Sequence, residues 1–261
     1  MKIVDSHTHL FLEEFAEDLP QVIARARECG VTHLFMPNID RTTIQPLLDT
    51  CSAYPDCCFP MMGLHPTSVA ADYQDELQVV EHYLKTSRNL FVAIGEIGMD
   101  LYWDRTFERE QEEVLRQQLD WALEYNLPVV IHCREAFDNI YKVLGSYRNT
   151  SLNGIFHSFT GTVDEAVRIM EFGGFCIGVN GVVTFKKSTL PQVLSEAVPL
   201  ERMVLETDSP YLAPVPNRGK RNESAYIQHT LVKVAEVYKR SPEEVAEVTT
   251  KTALKVFGML K

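Results

Sequence analysis

The chain lacks any apolar stretch long enough to cross a bilayer. Its longest uncharged runs, such as the one from Cys57 to Ala71, are broken by Pro, Gly and polar residues, whereas a spanning helix needs about 20 mostly apolar residues. No apolar signal core precedes Asp5, so the expectation is a cytoplasmic address and no membrane partner. The six cysteines include no C-x-x-C pair, which favours reduced, packed thiols over a zinc ribbon, a redox motif or a disulfide framework. No Gly-rich phosphate fingerprint follows the first apolar run, which argues against an open nucleotide-binding sheet. Positive charge is scarce, with 25 Lys and Arg against 36 Asp and Glu and a net charge of -11. That excludes a basic, nonspecific nucleic-acid coat protein. It leaves room for an enzyme acting on phosphodiesters, because divalent ions and a few local cations reverse the potential inside one pocket. Linkers, low-complexity tracts and breaks in composition are also missing, and nothing marks an obligate protein partner. One domain over residues 1–261 is expected.

What is present is a rhythm. Short runs rich in Val, Ile, Leu and Phe occur near residues 2–6, 32–37, 58–64, 91–95, 128–131, 152–156, 174–179 and 202–205. Most are continuously apolar, the signature of parallel strands covered on both faces. Segments of helical spacing separate them, as in Leu115, Leu119 and Ala122. Thr162 and Glu165 form a capping box, and Gly173-Gly174 is expected to end that helix with a left-handed residue. Ser241-Pro242-Glu243-Glu244 combines an N-cap, a first-turn proline and a capping glutamate, and starts a helix running towards Phe257. Eight strand–helix units in a chain of this length predict an α/β fold, a (β/α)8 TIM-type barrel with an additional C-terminal helix.

In such a barrel chemistry gathers where strands end and βα loops begin. His7 and His9 close the first run; at i and i+2 on a strand, their imidazoles face the same way. His65 follows the third run, Glu96 the fourth, His132 the fifth, His157 the sixth and Asp208 the eighth. Taken singly, each histidine reads as a hydrogen-bonded structural side chain, Glu96 as an ion-pair partner and Asp208 as a helix cap. Together, four imidazoles and two carboxylates drawn from these positions and converging at one mouth read as metal ligands. Six ligands exceed the three protein ligands of a mononuclear catalytic zinc site. Two divalent ions are therefore expected, Zn, Mn or Mg, with Glu96 placed to bridge them. Cys133, which alternation turns away from the face of His132, is not counted as a ligand, and His33, His82 and His229 fall outside the strand ends. Arg218, Lys220 and Arg221, in a loop after the eighth run, form a candidate oxyanion clamp that Lys186-Lys187 extends.

Asp5-Ser-His-Thr-His-Leu10, Gly63-Leu-His-Pro66, Gly95-Glu-Ile-Gly-Met-Asp100, Ile131-His-Cys-Arg134, Phe156-His-Ser-Phe159, Glu206-Thr-Asp-Ser-Pro-Tyr-Leu212 and Arg218-Gly-Lys-Arg-Asn-Glu223 resemble, in order and over nearly the whole chain, the TatD family of metal-dependent deoxyribonucleases. The resemblance implies an amidohydrolase-like barrel, a divalent-metal centre and hydrolysis of DNA phosphodiesters, exonuclease-like in some members. Carried over by motif, His7, His9, Glu96 and Asp208 would hold one ion and Glu96, His132 and His157 the other, with His65 touching the scissile phosphate. One departure is Ser224, where the family's pattern carries proline. The implied reaction is attack by a metal-bound hydroxide, with Asp208 as general base and Glu96 essential. His65, Arg218, Lys220 and Arg221 would bind the substrate, and Tyr102 and Trp103 either stack a nucleobase or close the rim. The alternatives are an amidohydrolase-type enzyme of a small anionic amide, lactone or phosphoester, and a noncatalytic metal-holding module. Against the first, many such relatives bridge their metals with a carboxylated lysine, and no lysine neighbours Glu96. Against the second, structural sites are closed rather than set at a barrel mouth.

Overall fold

Continuously apolar runs pack against covering layers on both faces, and in the computed structural model, which describes residues 1–260, each of the eight runs yields a strand. These are β1 (Ile3–Asp5), β2 (Val31–Pro37), β3 (Cys58–Met61), β4 (Ile94–Asp100), β5 (Val129–Arg134), β6 (Gly154–Phe156), β7 (Phe175–Val179) and β8 (Met203–Leu205). All pairings are parallel, in two ladders ordered β1-β2-β3 and β4-β5-β6-β7-β8. Isolated bridges span both seams, Met62 with Ile94 and Thr8 with Ser209. Main-chain bonds support them, Gly95 N to Met62 O at 3.0 Å and Ser6 N to Leu205 O at 3.1 Å. Strands in sequential order, with β8 brought back beside β1, make the fold a (β/α)8 TIM-type barrel.

The helices wrap this barrel. Between consecutive strands lie α1 (Leu19–Glu28), α2 (Ile44–Ala53), α3 (Tyr73–Ser87), α4 (Glu108–Tyr125), α5 (Phe137–Gly145), α6 (Val163–Met170) and α7 (Leu190–Ala197). After β8 come α8 (Ile227–Tyr238) and α9 (Pro242–Val256). Most buried apolar side chains fill the layer between sheet and helices. A second cluster takes one residue from each strand or its lead-in: Val4, Phe35, Met61, Ala93, Val130, Ile155, Cys176 and Val204. These are the inward side chains of the barrel. Val130 and Ile155 lie two residues before His132 and His157, so strand alternation puts apolar filling and imidazoles on one face.

The C-terminal helix seals the other end. Ala253 and Phe257 join the inward cluster, and the Phe257 ring stacks on Phe35 with centroids 3.8 Å apart. Ser241 caps this helix as expected, its side chain accepting from Glu244 N at 3.2 Å, with Pro242 in the first turn. The Thr162–Glu165 capping box is also formed.

Two local expectations need correction. The helix α6 ends at Met170 through a right-handed Glu171, and neither Gly173 nor Gly174 is left-handed. A Cβ on Gly174 would lie 2.8 Å from Asn153 Cβ, so this glycine serves close chain approach instead. The fourth strand begins at Ile94 and runs on to Asp100, beyond the expected end near Gly95. Gly98 explains the extension: its φ of +138° and the contact a Cβ would make, 1.9 Å from His132 O, allow only glycine there. A glycine-rich tail thus looks like a turn in sequence but pairs as strand.

Phe257→Ala is expected to lower the unfolding free energy by about 3–5 kcal/mol, the cost of a large buried aromatic and the cavity it leaves. Urea unfolding measures this, and a loss below about 1 kcal/mol would show that α9 does not support the barrel.

Candidate metal centre

Glu96 stands at the middle of a ring of imidazoles. Its Oε2 lies 3.1 Å from His7 Nε2 and 3.6 Å from His9 Nε2. Its Oε1 lies 3.2 Å from His65 Nε2, 3.0 Å from His132 Nδ1 and 3.0 Å from His157 Nε2. Asp208 Oδ1 approaches from the segment after β8, 3.8 Å from His7 Nε2 and 3.6 Å from His9 Nε2. The expected ligand side chains thus come together at one end of the barrel, and all except His132 and Asp208 are fully buried. His65 sits nearly as close to Glu96 as His132 and His157 do.

These contacts fit divalent cations better than a hydrogen-bond network. His7 Nε2 and His9 Nε2 are 3.2 Å apart and share the same carboxylate oxygens. One proton satisfies only one such pair, whereas a cation satisfies several lone pairs together. The second nitrogens of both rings are buried and unpartnered, which leaves each imidazole aimed at the cluster by its Nε2. Two compact donor groups, His7–His9–Glu96 and His65–Glu96–His132, share Glu96, and a third, His7–His157–Glu206, adjoins them. No cysteine joins them among the described residues. This is the donor set of a divalent-metal centre of imidazole and carboxylate.

The electrostatics are divided. Burial drives His7 and His65 below the usual histidine range, towards the unprotonated form that ligates. Burial also opposes ionisation of Glu96, but His65, His157 and His7 outweigh it and hold the carboxyl well below its usual range. At His132 burial is overcome by hydrogen bonds that the ring donates to Asp100 and Glu96, and at His157 by the charges of Glu96 and Glu206; both are raised.

Three carboxylates escape a reading of strand ends. Asp100 Oδ2 lies 2.9 Å from His132 Nε2 and orients that ring. Glu206 is wholly buried, with Oε1 3.3 Å from His157 Nδ1, off the line of a hydrogen bond, and it accepts from Ser158 N. Gly178 makes room for it, since a Cβ there would lie 2.3 Å from Glu206 Oε2. Asp5 accepts from Thr207 N at 2.9 Å and Thr207 Oγ1 at 2.7 Å, bracing the residue before Asp208, and burial pushes its carboxyl up to about 7. Alternation carries a signal for two of them: Asp100 is four residues after Glu96, and Glu206 two before Asp208.

Above the cluster opens a cleft of about 630 Å³ whose wall includes His65, Asp208, Trp103, Arg134 and Tyr211. The expected clamp residues lie elsewhere. Arg221 is committed to α1: Nη1 donates to Asp18 Oδ1 at 2.7 Å, Nη2 to Asp18 Oδ2 at 2.8 Å, and the guanidinium covers Phe15. Arg25 fixes Glu223 in the same way, donating at 2.7 and 2.6 Å. Placement after β8 predicts where this loop's backbone runs but not where its longest side chains find partners. Arg218 is exposed and lies over Phe185 at 4.4 Å; Lys220 and the Lys186-Lys187 pair are exposed. Ser224 is buried beside Thr8 and still starts the turn that leads into α8. His33 stacks on Phe59, and neither it, His82 nor His229 lines the cleft.

The model of the TatD related DNase family matches residues 4–258. The chain belongs to this family. Among curated relatives, it is 34% identical over 255 residues to the uncharacterized metal-dependent hydrolase YabD of Bacillus subtilis, covering 98% of each chain. It is 31% identical over 261 residues to the 3'-5' ssDNA/RNA exonuclease TatD of Pantoea ananatis, covering 98% of this chain and 99% of that one. Among solved structures, the Escherichia coli TatD homologue YJJV superposes with a TM-score of 0.91 at 26% identity, over 98% of both chains. For this TatD-family chain, no described helix is long and apolar enough to cross a membrane.

A metal-stripped sample titrated with Mn²⁺ or Zn²⁺ is expected to melt roughly 5–10 °C higher, since saturation at about 100 Kd adds about 2.7 kcal/mol. Glu96→Ala should abolish most of the gain. Equal shifts in parent and variant, read by scanning calorimetry, would remove Glu96 from the centre.

Proposed function

We propose that this chain hydrolyses DNA phosphodiesters with two divalent ions held by His7, His9, Glu96, His132, His157 and Asp208, acting exonucleolytically on a strand end. The observation that carries the reading is Glu96, one carboxylate shared between two donor groups at the floor of an open cleft. Structural metal sites are closed by protein ligands, whereas this one faces a space large enough for a nucleotide. The relative named 3'-5' ssDNA/RNA exonuclease, matched end to end, supports the substrate class.

Bound ions of this kind lower the pKa of a water towards about 7 and neutralise charge on phosphoryl oxygens. The chain's residues supply the rest. Asp208 is held in the left-handed region, φ 57°, with its N–H donating to His7 O at 2.9 Å and the flanking Ser209 O accepting from His9 N at 2.8 Å. That backbone fixes its carboxylate beside His7 and His9 at the cleft wall. Burial works against its ionisation, but His9, His157 and His7 hold its pKa below the usual range, so it stands ionised, the form that a general base for the attacking water requires. His65 faces the cleft beside Glu96, in reach of a phosphoryl oxygen. Arg218 and Lys220, exposed after β8, draw the polyanion towards a protein whose net charge is -11.

Asp208→Asn should reduce kcat by roughly 10²–10⁴ with little change in the Tm of the metal-free protein, the usual cost of a lost general base, and Glu96→Ala should abolish turnover. The assay pairs Mg²⁺, Mn²⁺, Zn²⁺ and Co²⁺ with single-stranded DNA, duplex DNA, RNA and small phosphoesters. Parent-level cleavage by either variant would overturn the site assignment, and activity confined to lactones or amides would overturn the substrate.

A further inference from the structure

The cleft wall above His132 carries a group with no part in the metal cluster. Arg134 lies two residues beyond His132 on β5 and is the register partner of Asp100 on β4, so its side chain leaves the sheet on the same face. It lines the cleft, and among the described residues its guanidinium pairs with no carboxylate within 4.0 Å. Instead it rests over the Tyr102 ring at 3.9 Å and near the Trp103 ring at 5.1 Å. Trp103 also lines the cleft and leaves 71% of its surface to solvent, an unusual exposure for this side chain. Tyr102 meets it edge to face, centroids 4.9 Å apart. Asp100 binds the pair to the centre: Oδ1 accepts from Tyr102 N at 3.0 Å and Trp103 N at 3.4 Å, while Oδ2 faces His132.

We infer that Trp103 and Arg134 form a subsite for one nucleotide of a single-stranded chain, Trp103 stacking its base and Arg134 holding an adjacent phosphate. The inference rests on the nucleic-acid reading above and deepens it by naming where the unpaired strand is gripped. An unpaired base has both π-faces free for an indole, while a stacked duplex offers none in its interior. Tyr102 takes no base itself; it holds the guanidinium flat and at the rim. A free cation beside an exposed indole matches the two halves of a nucleotide, an anionic phosphodiester and a flat base. Because the aromatic loop hangs from the carboxylate that orients His132, the gripped nucleotide is set at a fixed distance from the metal centre.

The test uses the metal-loaded full chain in stopped flow, following tryptophan fluorescence on mixing with an oligothymidylate or with an abasic oligomer of equal length. Only two tryptophans are present and Trp121 is buried, so a rapid change reports on Trp103. Quenching by the base-bearing strand and not by the abasic one is expected. Anisotropy with labelled strands should show Trp103→Ala binding oligothymidylate about tenfold more weakly, a penalty absent with the abasic strand and largely restored in Trp103→Phe. Arg134→Ala should weaken both strands and flatten the salt dependence by about 0.7 in log–log slope, the loss of one phosphate contact. Equal quenching by both strands, or none, overturns the subsite even if DNA is cut. Base-dependent quenching without any cleavage leaves the subsite standing and overturns the hydrolase reading instead.

Discussion

A single carboxylate removed from water and faced by five imidazoles sets the terms for the rest of this structure. Burying Glu96 unpaired would be costly, and its neighbours are arranged so that it never is. Those neighbours come from β5 and the segments that follow β1, β3 and β6, so the barrel must hold its strands in register for the cluster to exist. The apolar plug of Val130, Ile155 and Val204, stoppered by Phe257 on α9, gives that register a rigid floor. Glycines yield the space: Gly98 lets β4 run beside His132, and Gly178 on β7 leaves room for Glu206.

Around the cluster, acidic residues act in two capacities. Glu96 and Asp208 point their oxygens at the shared space, whereas Asp100, Glu206 and Asp5 hold other groups in place: an imidazole ring, the Ser158 backbone and the Thr207 backbone. Basic residues divide in the same manner. Arg221 and Arg25 bolt the loop after β8 to α1 through Asp18 and Glu223, which steadies the chain that leads out of Asp208. Arg134 is left on the cleft wall with only aromatic company. The division explains how a protein of net charge -11 suits an anionic substrate: its overall field matters less than which cations remain uncommitted at the opening.

The eight-unit rhythm, the positions of His7, His9, His65, Glu96, His132, His157 and Asp208, and the caps at Thr162 and Ser241 were all legible in the linear chain. Each rests on local physics: alternation along a strand, the helical period, or a side chain satisfying a nearby N–H. Strand ends were legible less evenly. The fourth run reads as ending at Gly95-Glu96 because glycine is poor in strands, and only pairing with β5 reveals why Gly98 is required beyond it. Misplacing that end hid the bond from His132 to Asp100, though Tyr102 and Trp103 beyond it were already candidates.

Only the tertiary structure decided which charges face each other. Arg134, Arg218, Lys220 and Arg221 look alike in sequence, as cations at or after strand ends. The fold ties Arg221 to Asp18, lays Arg218 on Phe185 and sets Arg134 in the cleft. Long side chains are placed by partners remote in sequence, and Asp18 precedes Arg221 by 203 residues. Periodicity determines the side of a strand on which a residue emerges, because that depends on the nearest two dihedrals. Where a flexible cation comes to rest depends on every carboxylate within its reach, and closure of the barrel alone settles that.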